Sequence, residues 1–283
     1  MGKFNEAFKK SGWGKSQKIG PGNKPTAEKD LMEKNKIKVL KPKRAAQANR
    51  LNTAQIDPHL VTYHDPASVE AEIFKILRNN ILFPKTGEPP VLIMVTSAIP
   101  GDGKSFVAAN LAISIAQGIE EHVLLMDCDM RRSSIHRKFG FGDKVLGLSE
   151  YLSQGVELPS LLRKTAVDKL TILPGGSAPD NPSELLSSQA MKLLLKQAKN
   201  RYSDRYIIVD SPPPQLTAET TALANYVDGI ILVIRYASTP KDLVKDLLDK
   251  LGREKVIGVV MNGYRVPTTE RYGYGKYKKY KVY

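Results

Sequence analysis

Val91-Leu-Ile-Met-Val-Thr-Ser-Ala-Ile-Pro-Gly-Asp-Gly-Lys-Ser105 is the stretch whose reading decides the fold. Residues 91–95 are a short apolar run of the kind buried on both faces of a sheet. A loop with Gly101 and Gly103 follows, then Lys104-Ser105, then an apolar helical pattern over 106–116. Strand, glycine-bearing loop, Lys-Ser and helix together predict a phosphate-binding loop. Glycines let backbone N–H groups turn inward around phosphate oxygens, and the helix N-terminus adds positive charge. Lys104 is placed to reach the β- and γ-phosphates, and Ser105 to ligate Mg²⁺. The position six residues before the lysine, usually Gly, is Ala98.

From that loop onward the chain alternates strand and helix patterns. Residues 122–129 read as a buried strand ending in Asp127 and Asp129. Residues 170–173 are a third strand, closed by Pro174-Gly175-Gly176. Asn181-Pro182-Ser183-Glu184 opens a predicted long helix, with Pro at an allowed first-turn position. Residues 206–210 form a fourth strand, stopped by Ser211-Pro-Pro-Pro214. Residues 228–234 and 256–261 give two more, separated by helical patterns at 217–226 and 240–251. Continuous Val/Ile/Leu strands between helices imply an α/β fold, a mostly parallel sheet covered on both faces. Ligands in such sheets sit at strand C-terminal ends. Asp127, Asp129 and Asp210 all fall there, so they can converge on the loop.

The flanks differ from this core. Residues 1–50 carry 14 Lys+Arg against 4 Asp+Glu, and residues 264–283 carry 6 against 1. The two ends therefore carry +10 and +5, the whole of the net charge of +14, and residues 51–263 sum to −1. A neutral core argues against a nucleic-acid groove in the folded domain, so no specific nucleic acid is expected as partner. Interleaved Tyr and Lys at the ends leave single-strand stacking as a minor alternative. Residues 1–60 read as a basic, mostly disordered segment, residues 61–263 as the folded domain, and residues 264–283 as a flexible tail. Residues 67–83 are amphipathic, with Glu72, Lys75 and Arg78 at every third position. One cysteine, Cys128, excludes a disulfide framework and a Cys-based metal site, and fits a reducing cytoplasm. No apolar run approaches the length of a membrane span, and the basic N-terminus lacks the apolar stretch of a secretory signal.

Phosphoryl transfer asks mainly for positioning and charge neutralisation. Lys104 and Mg²⁺ supply the neutralisation, with Ser105 and one or two carboxylates holding the metal. The tail supplies acceptor hydroxyls: Tyr264, Tyr272, Tyr274, Tyr277, Tyr280 and Tyr283 are half of the chain's 12 tyrosines. Two functions remain open on these residues. One is a tyrosine autokinase; the other is an ATPase switch that positions a partner and uses the tail as a binding arm.

Residues 97–105, Leu125-Met-Asp-Cys-Asp-Met-Arg-Arg132 and Ile208-Val-Asp-Ser-Pro-Pro213 resemble the Walker A, A′ and B motifs of the bacterial tyrosine autokinases of capsule and exopolysaccharide production. Asn181-Pro-Ser-Glu-Leu-Leu186, Val259-Val-Met-Asn-Gly263 and the tyrosine-rich tail resemble that family too. The likeness covers roughly 66–283. The related partitioning and division-site ATPases carry a signature lysine five residues before the loop lysine, where this chain has Ile99. The resemblance implies a P-loop domain that binds ATP and Mg²⁺ through Pro100, Gly101, Asp102, Gly103, Lys104, Ser105 and Phe106, with Asn262 on the adenine. It implies Asp127 as base and Mg²⁺-linked group, with Asp129 and Asp210 completing the acidic shell. Metal ligation falls to Ser105, Asp127 and Asp210. Glu72, Lys75 and Arg78 resemble the family's Glu-x-x-Arg-x-x-Arg self-association motif, with Lys75 in place of its first Arg. Lys keeps the charge but not the planar fork, so a weaker ring-like homo-oligomer is expected. Ser133 stands where the family often has Pro. The implied partners are a membrane chain-length-determinant protein and a cognate tyrosine phosphatase. The implied location is cytoplasmic, at the inner face of the membrane through that partner.

Overall fold

The computed structural model describes residues 53–200, 204–212 and 219–264. After a 3₁₀ turn at Thr53–Gln55 come α1 (Val61–His64) and α2 (Val69–Leu82), then β1 (Leu92–Ser97) and α3 (Lys104–Ala116). Next are β2 (His122–Asp127), α4 (Ile135–Lys138), α5 (Leu148–Gln154), α6 (Leu158–Leu161), β3 (Arg163–Lys164) and β4 (Leu170–Leu173). The chain continues through α7 (Pro182–Ser187), α8 (Gln189–Asn200), β5 (Arg205–Asp210), α9 (Glu219–Ala224), β6 (Gly229–Arg235), α10 (Lys241–Leu251) and β7 (Val256–Asn262).

The seven strands lie in the order β3-β4-β2-β5-β1-β6-β7. Every pairing is parallel except β3 with β4. The expected mostly parallel sheet is therefore present. Its alternation assigns successive residues to opposite faces. Leu92 and Met94 belong to one apolar cluster, Ile93 and Val95 to the other. α3 fills the second cluster, and every residue from Val107 to Ala116 is buried. A helix that is apolar all round has to be enclosed in this way.

Three expectations need correction. The long helix predicted from Asn181 is two helices: Ser188 is extended (ψ 156°) and its Oγ accepts the N–H of Met191. A serine that bonds the next turn's backbone stops one helix and caps another. The helix after the phosphate loop begins at Lys104, two residues earlier than its apolar pattern. The end of the N-terminal segment is structured. Ile56 bridges Phe139, Leu60 is almost fully buried, and Lys138 Nζ donates to Asp57 Oδ2 at 2.8 Å. That short run was too polar to show periodicity, yet it docks along α3. Thr62 donates through N–H and Oγ to Asn110 Oδ1, and Gln117 Nε2 donates to Thr62 O. The remaining N-terminal residues and Tyr272, Tyr274, Tyr277, Tyr280 and Tyr283 lie outside the described residues.

Candidate active site

Sheet register builds the site. Val95 of β1 and Asp127 of β2 both pair with Asp210 of β5. The two carboxylates therefore stand on adjacent strands, about 5 Å apart along the hydrogen-bonding direction, where the loop after β1 turns. Asp127 and Asp210 are fully buried and Asp129 nearly so.

The loop is shaped by its glycines. Gly101 and Gly103 have φ of 90° and 99°, a region where L side chains are strained. Gly103 caps α3, and a Cβ there would lie 2.1 Å from Asn262 Nδ2. Ala98 is not among the positive-φ residues, and its methyl is packed in the core. The fold thus asks nothing of this position that only Gly could supply.

β6 and β7 brace the loop from outside. Asn262 Nδ2 donates to Asp102 O at 2.7 Å, Thr239 Oγ1 to Asp102 Oδ1 at 2.9 Å, and Arg235 Nη1 to Gly101 O at 3.2 Å. Asp102 is buried as part of that brace. Pro100 is exposed at the loop's tip, and Phe106 packs edge-on against Phe74 of α2 at 5.8 Å. Thr239 and Arg235 were not legible as site residues, because Thr and Arg after a strand carry no motif.

Lys104 Nζ donates to Asp129 Oδ2 at 2.8 Å. Burial pulls its pKa down, but Asp210, Asp129 and Asp127 outweigh this and hold it above the ordinary lysine value. Asp127 is the most heavily bonded of the three acids. Its Oδ2 accepts from Ser133 Oγ (2.9 Å), Ser134 N (2.9 Å) and Ile135 N (3.1 Å), and its Oδ1 from Asp129 N (3.2 Å). Burial pushes its carboxyl up to about 6, against those donors, with Asp129 adding to the rise. Ser133 also lies 3.3 Å from His136 Nδ1, so a residue to which sequence assigned no consequence joins the two.

Asp210 has the opposite surroundings. Both its oxygens are buried with no hydrogen-bond partner. The Ser105 side chain favours the ionised form. Burial raises the carboxyl to about 7, opposed by Lys104 and reinforced by Asp127 and Asp129. A bare buried carboxylate is costly unless a cation meets it. Fully ionised, three carboxylates face one ammonium, a local charge of −2 that a divalent cation neutralises. Among the described residues no three His, Cys, Asp or Glu side chains could cage a metal by themselves. Mg²⁺ keeps waters and takes phosphate oxygens beside one or two protein ligands. Ser105 and Asp210 fit as those ligands. Asp127, with Oδ2 committed to three donors, has only Oδ1 to offer.

A model of the CobQ/CobB/MinD/ParA nucleotide binding domain matches residues 93–281. The chain is 33% identical over 223 residues to tyrosine-protein kinase YwqD of Bacillus subtilis, covering 78% of this chain and 92% of that protein. The chain belongs to the bacterial tyrosine-protein kinases. The kinase is also 32% identical over 237 residues to putative tyrosine-protein kinase EpsB of Ralstonia solanacearum, covering 83% of itself but 31% of EpsB. It thus spans nearly all of one relative and about a third of the other. Among solved structures, the kinase domain of Escherichia coli tyrosine kinase ETK matches with TM-score 0.69 and 30% identity, over 77% of this chain and 85% of that one. The septum site-determining protein MinD of Pyrococcus horikoshii, complexed with Mg-ADP, shares the fold at 20% identity and TM-score 0.52. Among the described residues no helix of the kinase is long and apolar enough to cross a membrane.

Proposed function

We propose that the kinase transfers the γ-phosphate of ATP to its own C-terminal tyrosines, and by the charge this adds controls a partner in exopolysaccharide or capsule export. One observation carries the reading: the tail leaves the fold at the rim of the phosphate loop. Asn262 bonds Asp102 in that loop, and Tyr264, two residues on, rests edge-on against Tyr236 at 4.9 Å. Tyr264, the first of the six tail tyrosines, therefore stands close to the loop that would hold the phosphates.

In this reading the loop amides and Lys104 hold the β- and γ-phosphates, and Lys104 exchanges Asp129 for them. Mg²⁺, when bound through Ser105 and Asp210, neutralises the phosphate charge. Asp127 takes the tyrosine proton through Oδ1; its other donors keep the carboxylate oriented. The Asn262 amide oxygen, free of hydrogen bonds among the described residues, faces the task of meeting the adenine amino group. The exopolysaccharide role, the membrane chain-length-determinant partner at the inner membrane face, the phosphatase and the ring-like oligomer rest on the family resemblance.

Each phosphate adds about −1.5 to −2. Six would take the tail from +5 to roughly −4 to −7, enough to expel it from an acidic site. The test is mass spectrometry of residues 264–283 after incubation with ATP and Mg²⁺, with Lys104→Met as control. Phosphotyrosine in the wild type and none in the variant is expected. No label, even with the membrane partner added, overturns the proposal. ATP turnover left unchanged by Tyr→Phe at all six positions would favour the switch reading instead.

A further inference from the structure

The turn that follows β2 carries a polar chain that the phosphate loop does not touch. Ser133 Oγ lies 2.9 Å from Asp127 Oδ2 on one side and 3.3 Å from His136 Nδ1 on the other. His136 is on α4 and only 4% exposed, and its Nε2 is buried with no hydrogen-bond partner. Gly175, after β4, closes a third side, since a Cβ there would sit 2.9 Å from both Cβ and Oγ of Ser133. Arg137 Nη2 donates to Ser133 O at 3.1 Å and ties the turn to α4. The hydroxyl is therefore held in place between two neighbours.

A hydroxyl has one proton to give and two lone pairs. Asp127 Oδ2 already accepts the N–H groups of Ser134 and Ile135, so that oxygen is an acceptor and bears no proton. Ser133 gives its proton there, because a hydrogen bond to a carboxylate is the stronger one. The side of Oγ turned to His136 is then a lone pair. A bare Nδ1 opposite it would set two lone pairs against each other at 3.3 Å and leave the ring N–H on Nε2, buried without a partner. A buried orphan donor is costly. A proton on Nδ1 avoids both penalties, and a second one on Nε2 would meet no acceptor. In keeping with this, burial and then Arg137, against Asp143, hold the imidazole below its ordinary pKa.

We infer that His136 is a positioning residue for phosphoryl transfer: as the Nδ1–H tautomer it donates to Ser133 Oγ and so fixes the hydroxyl proton on Asp127 Oδ2. The inference rests on the reading of Asp127 as the base. A hydroxyl that accepts one hydrogen bond donates a stronger one, so Oδ2 is closed and Oδ1 is left to take the tyrosine proton. The order differs from that of a hydrolytic triad, in which the imidazole stands between hydroxyl and carboxylate and takes the hydroxyl proton. Here the serine stands between, gives its proton to the carboxylate and is no nucleophile. Ser133 stands where the related kinases often have Pro, which has no hydroxyl to make either contact.

Long-range proton–nitrogen NMR of the full chain, labelled on its four histidines, reads the tautomer, with His136→Asn assigning the signal. At neutral pH the expected pattern for His136 is a protonated Nδ1 and a bare Nε2. The Nε2–H tautomer or an imidazolium overturns the inference. Tail phosphorylation gives the second readout. His136→Leu removes the donor and is expected to lower kcat about fivefold, the weight of one hydrogen bond, with KM for ATP unchanged. His136→Asn, whose amide N–H can replace Nδ1–H, should recover most of that loss. In a Ser133→Ala background His136→Leu should lower kcat no further, because its effect passes through the hydroxyl. An equal loss in both backgrounds, or no recovery with Asn, reduces His136 to a space-filling role and overturns the inference. The two readings fail separately. An Nε2–H tautomer strikes the role of His136 and leaves Asp127 as the base, whereas undiminished phosphotyrosine in Asp127→Asn removes the base and leaves the tautomer standing.

Discussion

Asp210→Asn separates what the site needs for ATP from what the fold would prefer. In the nucleotide-free protein the Asp210 carboxyl is raised from 3.8 to about 7, chiefly by burial, and both oxygens lack partners. A rise of about three in pKa is worth about 4 kcal/mol. The sign follows from proton counts. Between pH 4 and 7 the folded protein keeps a proton that the unfolded chain releases, so stability contributed by this group falls as pH rises through that window. Above pH 7 the folded state carries the full cost of a bare buried charge. Asn removes the charge and keeps the shape, but leaves a buried amide unpaired, at about 1–3 kcal/mol. The net expectation at pH 8 is a gain of about 1–3 kcal/mol, or about 2–12 °C in Tm for a domain of this size. At pH 5 the wild-type carboxyl is protonated and the gain vanishes. Melting curves from pH 5 to 8.5 without nucleotide read this directly. Adding ATP and Mg²⁺ then raises the wild-type Tm and leaves Asp210→Asn unmoved. A variant less stable than wild type at every pH, by a constant amount, would falsify the account, since it would mean Asp210 has a partner in the folded protein.

Other outcomes follow from the same geometry. Gly103→Ala forces a side chain into left-handed backbone (φ 99°) and onto Asn262. It is expected to lose about 2–3 kcal/mol, from strain and the broken Asn262–Asp102 bond, and to bind ATP more weakly. Adding Asn262→Ala should relieve the clash but not the strain; no relief in titration calorimetry would contradict the contact. Ser133→Ala removes one of three donors on Asp127 Oδ2, so its carboxyl moves up from about 6. If Asp127 is the base, the acid limb of kcat/KM shifts to higher pH by about 0.7, the equivalent of one hydrogen bond of about 1 kcal/mol. An unshifted profile argues for another base. Lys104→Met leaves the buried Asp129 without its cation and should abolish phosphotyrosine while the far-ultraviolet circular dichroism stays that of the wild type.

The sheet and the phosphate loop were legible in one sequence because their signals are local. Continuous apolar runs, Gly101, Gly103 and the Lys-Ser pair each declare a backbone state within a few residues. The strand-terminal positions of Asp127, Asp129 and Asp210 were equally plain. The break at Ser188 and the docking of Ile56 and Leu60 were not, since one depends on a side-chain-to-backbone bond and the other on a surface that α3 and Phe139 form only once folded.

The sequence by itself determined that three acids and one lysine belong to a phosphate site. Only the tertiary structure decided how they differ. Register sets Asp127 beside Asp210, but the turn through Ser133–Ile135 gives donors to one and none to the other. The difference arises because hydrogen-bond partners and burial are set by where the chain returns in space. The same holds for β7, which reads in the sequence as a strand of a sheet covered on both faces; only the fold turns Val259 outward.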